Sequence, residues 1–196
     1  MRIGVDVGGT FTDFVLLEDA TGRTYTYKCL TTPRDPSDAM EQGLRALATQ
    51  LPGFIGELEE VIHGTTLVIN AIIERKGART GLITTRGFRD VLELGREIRY
   101  AAYDAFAPMP EPLVPRERRL EVDERLRADG SVLVPLDEAQ ARATVREMKA
   151  LGAESVAVCL LNSFENPAHE LALKRLLAEE FPQASVSISY EVLPQI

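Results

Sequence analysis

The sequence predicts an α/β fold in which a mixed β-sheet is covered by helices and carries an insertion. Three observations lead there. Two apolar alternating runs flank Gly8-Gly9-Thr10, and a third β-rich run follows before any helical pattern begins. From Asp35 onward, helix-period stripes alternate with short apolar runs, the arrangement expected of strands joined by crossover helices. Between residues 88 and 135 that periodicity gives way to prolines and mixed charge, a stretch too long for an ordinary connection. The expected organisation is a main domain over 1–87 and 136–196 with an insertion or small subdomain at 88–135. Residues 190–196 stop after a strand without a terminal helix or a polar tail, so the chain is expected to be a truncated piece of a larger protein.

Ile3, Val5 and Val7 alternate with Gly4 and Asp6, and Phe14–Leu17 resumes the apolar run after the glycines, giving strand, turn, strand. Thr21-Gly22 turns the chain into Thr24–Leu30, the third strand of an antiparallel meander. Asp35 is placed to cap a helix with Pro36 at its first position, and Met40, Leu44, Leu47 and Leu51 form its core stripe. Glu60–His63 is a strand, and Leu67–Lys76 a helix capped by Thr65 or Thr66 and closed by Gly77. The centre of that helix, Val68 to Ile73, is apolar nearly all round except for Asn70, which predicts burial. Thr80–Thr84 is a strand leading into a second Thr/Gly loop at Thr85-Arg86-Gly87.

At the start of the insertion and just before it, Arg86, Arg89, Arg96 and Arg99 sit among Asp90, Glu93 and Glu97, with Tyr100, Tyr103 and Phe106 interleaved. The acids favour a lid or subunit surface over nucleic acid. Pro108, Pro110, Pro112 and Pro115 forbid a continuous helix, and Arg119–Val122 with Val132–Val134 reads as a short antiparallel pair. Beyond it, Asp137 and Gln140 form a capping box for a helix through Leu151. Ser155–Leu160 is an apolar strand, Asn166-Pro167 opens a helix through Phe181, and Ser185–Ser189 is the last strand.

Composition narrows the function. With 45% apolar and 27% charged residues the chain has material for both a core and a solvated surface. A net charge of −8 argues against a general nucleic-acid binder. No signal or transit pattern and no apolar run of membrane-spanning length is present, so no membrane partner is expected and the expected location is the cytoplasm. Cys29 and Cys159 lack metal-site spacing and read as two buried free thiols.

The chemistry concentrates at the first turn. Adjacent glycines let backbone N–H groups approach a phosphate, and the Thr10 hydroxyl adds a donor. Asp6 and Asp13 flank the turn, and two carboxylates beside a phosphate imply a cation or a reacting water. The alternative is a tight hairpin with Asp6 capping local N–H groups. His63 beside Gly64-Thr65-Thr66 is either a substrate, acid/base or metal residue or an imidazole bonded to loop carbonyls. The helix start at Thr65 and Thr66 is a candidate anion site. Arg86 and Arg89 either clamp a carboxylate or phosphate or join a surface network with Asp90 and Glu93.

The chain resembles the N-terminal region of the hydantoinase/oxoprolinase family, which includes ATP-dependent 5-oxoprolinases, N-methylhydantoinases and ketone carboxylase subunits. The resemblance rests on Asp6-Val7-Gly8-Gly9-Thr10-Phe11-Thr12-Asp13, His63-Gly64-Thr65-Thr66 through Asn70-Ala71, Thr84-Thr85-Arg86-Gly87-Phe88-Arg89-Asp90, and Asn162 to Glu170. The first block is also similar to the phosphate loop of the actin, sugar-kinase and Hsp70 ATPases, which implies a ribonuclease-H-like half-domain of that type. The resemblance implies ATP and Mg²⁺, with Mn²⁺ or a monovalent cation as variants. It implies Asp6 and Asp13 as metal residues and, with His63, as catalytic ones; Gly8, Gly9, Thr10, Thr12, Thr65 and Thr66 as cofactor contacts; and Asn70, Arg86 and Arg89 as substrate or partner residues. The implied reaction is phosphate activation of a cyclic-amide carbonyl, of hydantoin or 5-oxoproline type, followed by hydrolysis. Ketone carboxylation, small-molecule phosphorylation or a non-catalytic assembly role are the alternatives. A second subunit or C-terminal half and homo-oligomerisation are the implied partners, and the isolated chain is expected to be inactive.

Overall fold

A computed structural model describes residues 1–32, 34–95, 103–104, 106–107 and 110–195. The chain divides into two units, Met1–Lys76 and Gly77–Ile196. In the first, strands β1 (Arg2–Val7), β2 (Phe11–Glu18) and β3 (Arg23–Leu30) form the expected antiparallel meander. Helix α1 (Pro36–Gln50) follows, and Asp35 accepts the Ser37 N–H at 2.9 Å to cap it. Strand β4 (Glu60–Thr65) then returns parallel to β1, giving a mixed sheet of order β3-β2-β1-β4.

Strand alternation sends Ile3, Val5, Val7, Phe14 and Leu16 to one face, where they pack with Ala39, Leu47 and Phe54. Each large side chain buried there contributes about 1.5–3 kcal/mol. The packing is tight enough to demand a glycine at position 43, because a Cβ would stand 2.1 Å from the Phe14 ring. Gly4 and Asp6 alternate onto the other face.

The helix after β4 is α2 (Leu67–Ile73), shorter than the periodicity predicts and not buried: Val68 and Ile73 are 68% and 72% exposed. Leu67 alone of its residues packs on the first core. Arg75, with φ 56°, ends the run before Gly77 is reached.

The second unit runs through β5 (Thr80–Thr85), α3 (Val91–Leu94), β6 (Arg119–Val122), β7 (Arg125–Leu126), β8 (Val132–Val134), α4 (Glu138–Ala150), β9 (Ser155–Cys159), α5 (Ala168–Glu180), β10 (Ser185–Ile188) and α6 (Ser189–Val192). Its sheet is wholly parallel with order β10-β9-β5-β6. Ile83, Val122, Val156 and Val158 meet Val145, Met148, Leu173 and Leu177 of α4 and α5 in a core of its own.

Several expectations are corrected here. The segment 88–135 contributes β6 to this sheet, and the division falls at residue 76 rather than at 87 and 136. Arg119–Val122 does not pair with Val132–Val134. Leu120 and Val122 are buried in the core, which draws β6 alongside β5, while β8 pairs antiparallel with β7. Arg119, 1% exposed, anchors the preceding loop by donating to the Val114 carbonyl at 2.8 Å and pairing with Glu93 at 3.2 Å. Asp137 caps α4 as expected, but Gln140 turns to the Glu121 carbonyl instead of completing a capping box. Both cysteines are free, with Cys29 buried and Cys159 exposed. Arg96, Glu97, Arg99, Tyr100 and Pro108 lie outside the described residues.

Candidate functional site

The register of the first sheet assembles the site. Asp6 of β1 lies opposite Asp13 of β2, and opposite Gly64 of β4 on its other side. Directly opposed residues share a face. Asp6 makes no hydrogen bond or ion pair among the described residues, and its Oδ1 stands 3.6 Å from where a Gly64 Cβ would be. Asp13 is paired with Lys28 at 2.9 Å. Both partners are about half exposed, so that pair adds no more than about 1 kcal/mol of stability. Its consequence is electrostatic, since it leaves Asp6 as the uncompensated carboxylate of the two.

The turn between them is closed by the Gly8 N–H donating to the Phe11 carbonyl at 2.9 Å. Neither the Gly9 nor the Thr10 N–H has a partner among the described residues. Gly9 lies close under Asn70: a Cβ there would come 2.7 Å from Asn70 Nδ2 and displace that side chain. Asn70 Nδ2 in turn donates to Thr66 Oγ1 at 3.3 Å. The turn thus presents two free backbone donors with the Asn70 amide close to Gly9, and the free Asp6 carboxylate sits on the strand that leads into it.

Other candidates lie elsewhere or are already engaged. Thr12 is fully buried on the core face and hydrogen-bonds Thr31 Oγ1 at 2.9 Å, while Thr31 donates to the Gly8 carbonyl at 2.9 Å. It braces the turn from behind. His63 aligns with Val5, placing it on the sheet face opposite Asp6, and it is exposed with no hydrogen-bond partner among the described residues. Thr65 donates to the Val7 carbonyl at 3.1 Å and accepts the Leu67 N–H at 3.2 Å. The N-cap position is Thr66, which makes no side-chain capping bond, so the hydroxyl that serves the helix start is that of Thr65 one residue earlier; the seven residues of α2 make too short a helix to supply much dipole.

Arg86 and Arg89 belong to the second unit. Arg86 pairs with Asp123 at 2.6 Å, and Arg89 donates to the Arg116 carbonyl at 2.9 Å. Arg89 Nε is buried without a partner among the described residues. The surrounding network joins Asp90 to Arg116, whose guanidinium holds the Asp90 carboxyl below its usual range. The second Thr/Gly loop already holds an anion of its own, because Glu121 accepts the Gly87 N–H at 2.7 Å.

Sequence reasoning missed two buried carboxylates in this unit. Glu124 bonds His169 Nδ1 at 2.7 Å and accepts from Thr85 Oγ1, which accepts the Leu161 N–H at 3.0 Å. Glu170, with no exposure, accepts from Leu160 N at 3.0 Å, Ser189 Oγ at 2.7 Å and Tyr190 N at 3.0 Å. The signal was present for Glu170, which shares one helical stripe with Leu173 and Leu177. A carboxylate at such a position needs an internal set of donors.

Among the described residues no group of three or more His, Cys, Asp or Glu is placed to hold a metal ion, and no helix is long and apolar enough to cross a membrane. The donors of the first unit do not fit a resident all-protein metal centre. They fit Mg²⁺, which keeps most of its waters and takes one or two carboxylates plus phosphate oxygens.

A family model described as the hydantoinase/oxoprolinase N-terminal region matches residues 2–181. The caprolactamase subunit alpha of Pseudomonas jessenii is 37% identical over 201 residues, spanning 100% of this chain and 29% of its own length. A nucleotide-free acetone carboxylase structure, solved for the mechanism of ATP-dependent acetone carboxylation, matches with a TM-score of 0.88 at 29% identity, covering 100% of this chain and 30% of that one. The crystal structure of the ATP-dependent caprolactamase from Pseudomonas jessenii gives 0.84 at 36% identity, covering 100% and 29%. The first curated relatives are thus matched over only 28% and 29% of their length. The architecture is the mixed α/β one of the actin, sugar-kinase and Hsp70-like ATPases, as in those two structures.

Proposed function

Because the chain belongs to the hydantoinase/oxoprolinase N-terminal-region family, we propose that its first unit forms the phosphate and Mg²⁺ wall of an ATP-dependent enzyme acting on a cyclic amide. The observation that carries this reading is the free Asp6 carboxylate beside the unspent N–H groups of Gly9 and Thr10. These groups are exposed and make no bond within the described residues, so they are accessible to a ligand that brings acceptors and a cation. The Gly9 and Thr10 N–H groups would hold phosphate oxygens, with Asn70 limiting the volume above Gly9, and Asp6 would hold the hydrated Mg²⁺. Asp13, neutralised by Lys28, holds the β1–β2 register. ATP with Mg²⁺ supplies a transferable phosphoryl group that makes an amide carbonyl attackable by water.

The partners in this reading are the remainder of the polypeptide or a second subunit, a cyclic amide, and further copies of the enzyme. The likeness to acetone carboxylase favours a second reading, in which the same phosphate wall serves ketone carboxylation.

The test is Mg²⁺-dependent ATP hydrolysis by the full-length polypeptide with its partner subunit. Hydantoin, 5-oxoproline, ε-caprolactam, and acetone with bicarbonate are supplied separately. Stimulation by a cyclic amide with ring-opened product is the expected result; stimulation only by ketone and bicarbonate selects the carboxylase reading. Asp6→Asn lowers turnover about 10²–10³-fold with an unchanged melting temperature. Undiminished turnover in that variant rejects the role of Asp6.

A further inference from the structure

The second unit contains a cleft of about 480 Å³, within the usual range of small-molecule sites. Leu82 and Thr84 of β5, Cys159 of β9, and Leu161 and Ser163 of the loop beyond it line the cleft, with Phe88 as a further wall. Its place in the topology is informative. The chain leaves β5 toward β6 and leaves β9 toward β10, in opposite directions across a parallel sheet. The crevice outside the carboxyl ends of two such strands is the general ligand position in open α/β sheets.

The walls are held by groups that are costly to bury. Leu160 N–H is fixed by Glu170, and Leu161 N–H by Thr85, itself bonded to Glu124. Burying two carboxylates to fix adjacent loop amides makes a preorganised wall. Against it, the Thr84 side chain is only 6% exposed, lines the cleft, and makes no hydrogen bond among the described residues. Facing the cleft rather than a protein partner, this hydroxyl is open to a ligand acceptor.

The polar pattern selects the ligand. No lining residue is charged. Ser189 gives its proton to Glu170 at 2.7 Å and so accepts from Ser163 at 3.1 Å, which leaves Ser163 only as an acceptor. Thr84 offers a donor. We propose that this cleft is a second binding site, for a compact neutral molecule whose carbonyl meets Thr84 and whose adjacent N–H meets Ser163, the rest of its surface being apolar. The inference goes beyond the nucleotide reading and draws on it only for the choice of test compounds; the cleft is argued from the second unit alone.

Cys159 provides the readout. In the full-length polypeptide, its alkylation by iodoacetamide is followed by peptide mass mapping against increasing ε-caprolactam, its ring isostere cycloheptanone, and zwitterionic 6-aminohexanoate. The lactam protects Cys159 saturably and at lower concentration than the ketone, and 6-aminohexanoate does not protect. Thr84→Val raises the half-protecting lactam concentration about 2- to 10-fold, whereas Thr84→Ser retains it. Asp6→Asn leaves protection unchanged, so the cleft and the nucleotide reading stand or fall separately. The proposal is overturned if no compound slows alkylation, if 6-aminohexanoate protects as well as the lactam, or if Thr84→Val binds as tightly as the parent. It is also overturned if Cys159 is inert throughout because another polypeptide segment fills the cleft.

Discussion

Thr31 stabilises a turn that it never borders from the front. Its hydroxyl donates to the Gly8 carbonyl at 2.9 Å and therefore accepts from Thr12 at 2.9 Å. Thr31→Val keeps the shape and strands both partners in the core, which costs about 1–3 kcal/mol. Denaturant unfolding monitored by Cys29 reactivity is expected to show that loss, with Thr31→Ser restoring most of it; an unchanged midpoint would mean that water replaces the bond. This residue also shows where a one-dimensional reading ends. Asp6, Gly8, Gly9 and Thr10 announce themselves as one local strand-turn pattern. Thr31 lies beyond the end of another strand, and only the β2–β3 register reveals what it supports. His63 is the opposite case: its position beside Gly64 suggests the site, while strand parity puts it across the sheet from Asp6.

Helices α4 and α5 are latched by charge at one end of their contact. Glu180 receives Arg142 at 2.9 Å and Arg146 at 2.9 Å. The hydrogen bonds from Arg146 and then Arg142 lower the Glu180 pKa to about 2 from an ordinary 4.5. A depressed carboxyl stabilises the fold above its unfolded pKa and loses that contribution as the pH falls toward the folded value. Glu180→Gln is therefore expected to flatten the decline in melting temperature between about pH 4.5 and 2, while lowering it at neutral pH; identical acid limbs for parent and variant would refute the latch. These helices were legible because each pairs an apolar stripe with a polar face. Helix α2 was not, since its all-round apolarity specifies a buried surface without saying which part of a polypeptide buries it. The β6 position was likewise hidden: a four-residue apolar run fits a hairpin or a parallel strand equally, and only the core around Leu120 and Val122 decides.

At the scale of the chain, the two units have separate cores. Every buried member of one cluster falls between Ile3 and Phe54, and every member of the other between Ile83 and Ile188. The sequence could not display this, because strand and helix patterns alternate on both sides of residue 76 with no linker-like composition between them. If stability follows the cores, a cavity in one unit should open that unit and spare its neighbour. Leu47→Ala and Leu176→Ala each remove a fully buried side chain and are expected to cost about 2–5 kcal/mol. Cys29, buried at 8% exposure in the first core, reports which unit has opened. In mild denaturant Leu47→Ala should accelerate its alkylation by about thirtyfold or more, the factor that a loss of about 2 kcal/mol gives, and Leu176→Ala should leave its rate near that of the parent. Equal acceleration by both substitutions would show one cooperative transition. The nucleotide wall and the apolar cleft would then share a single stability, and each could be tuned only at the expense of the other.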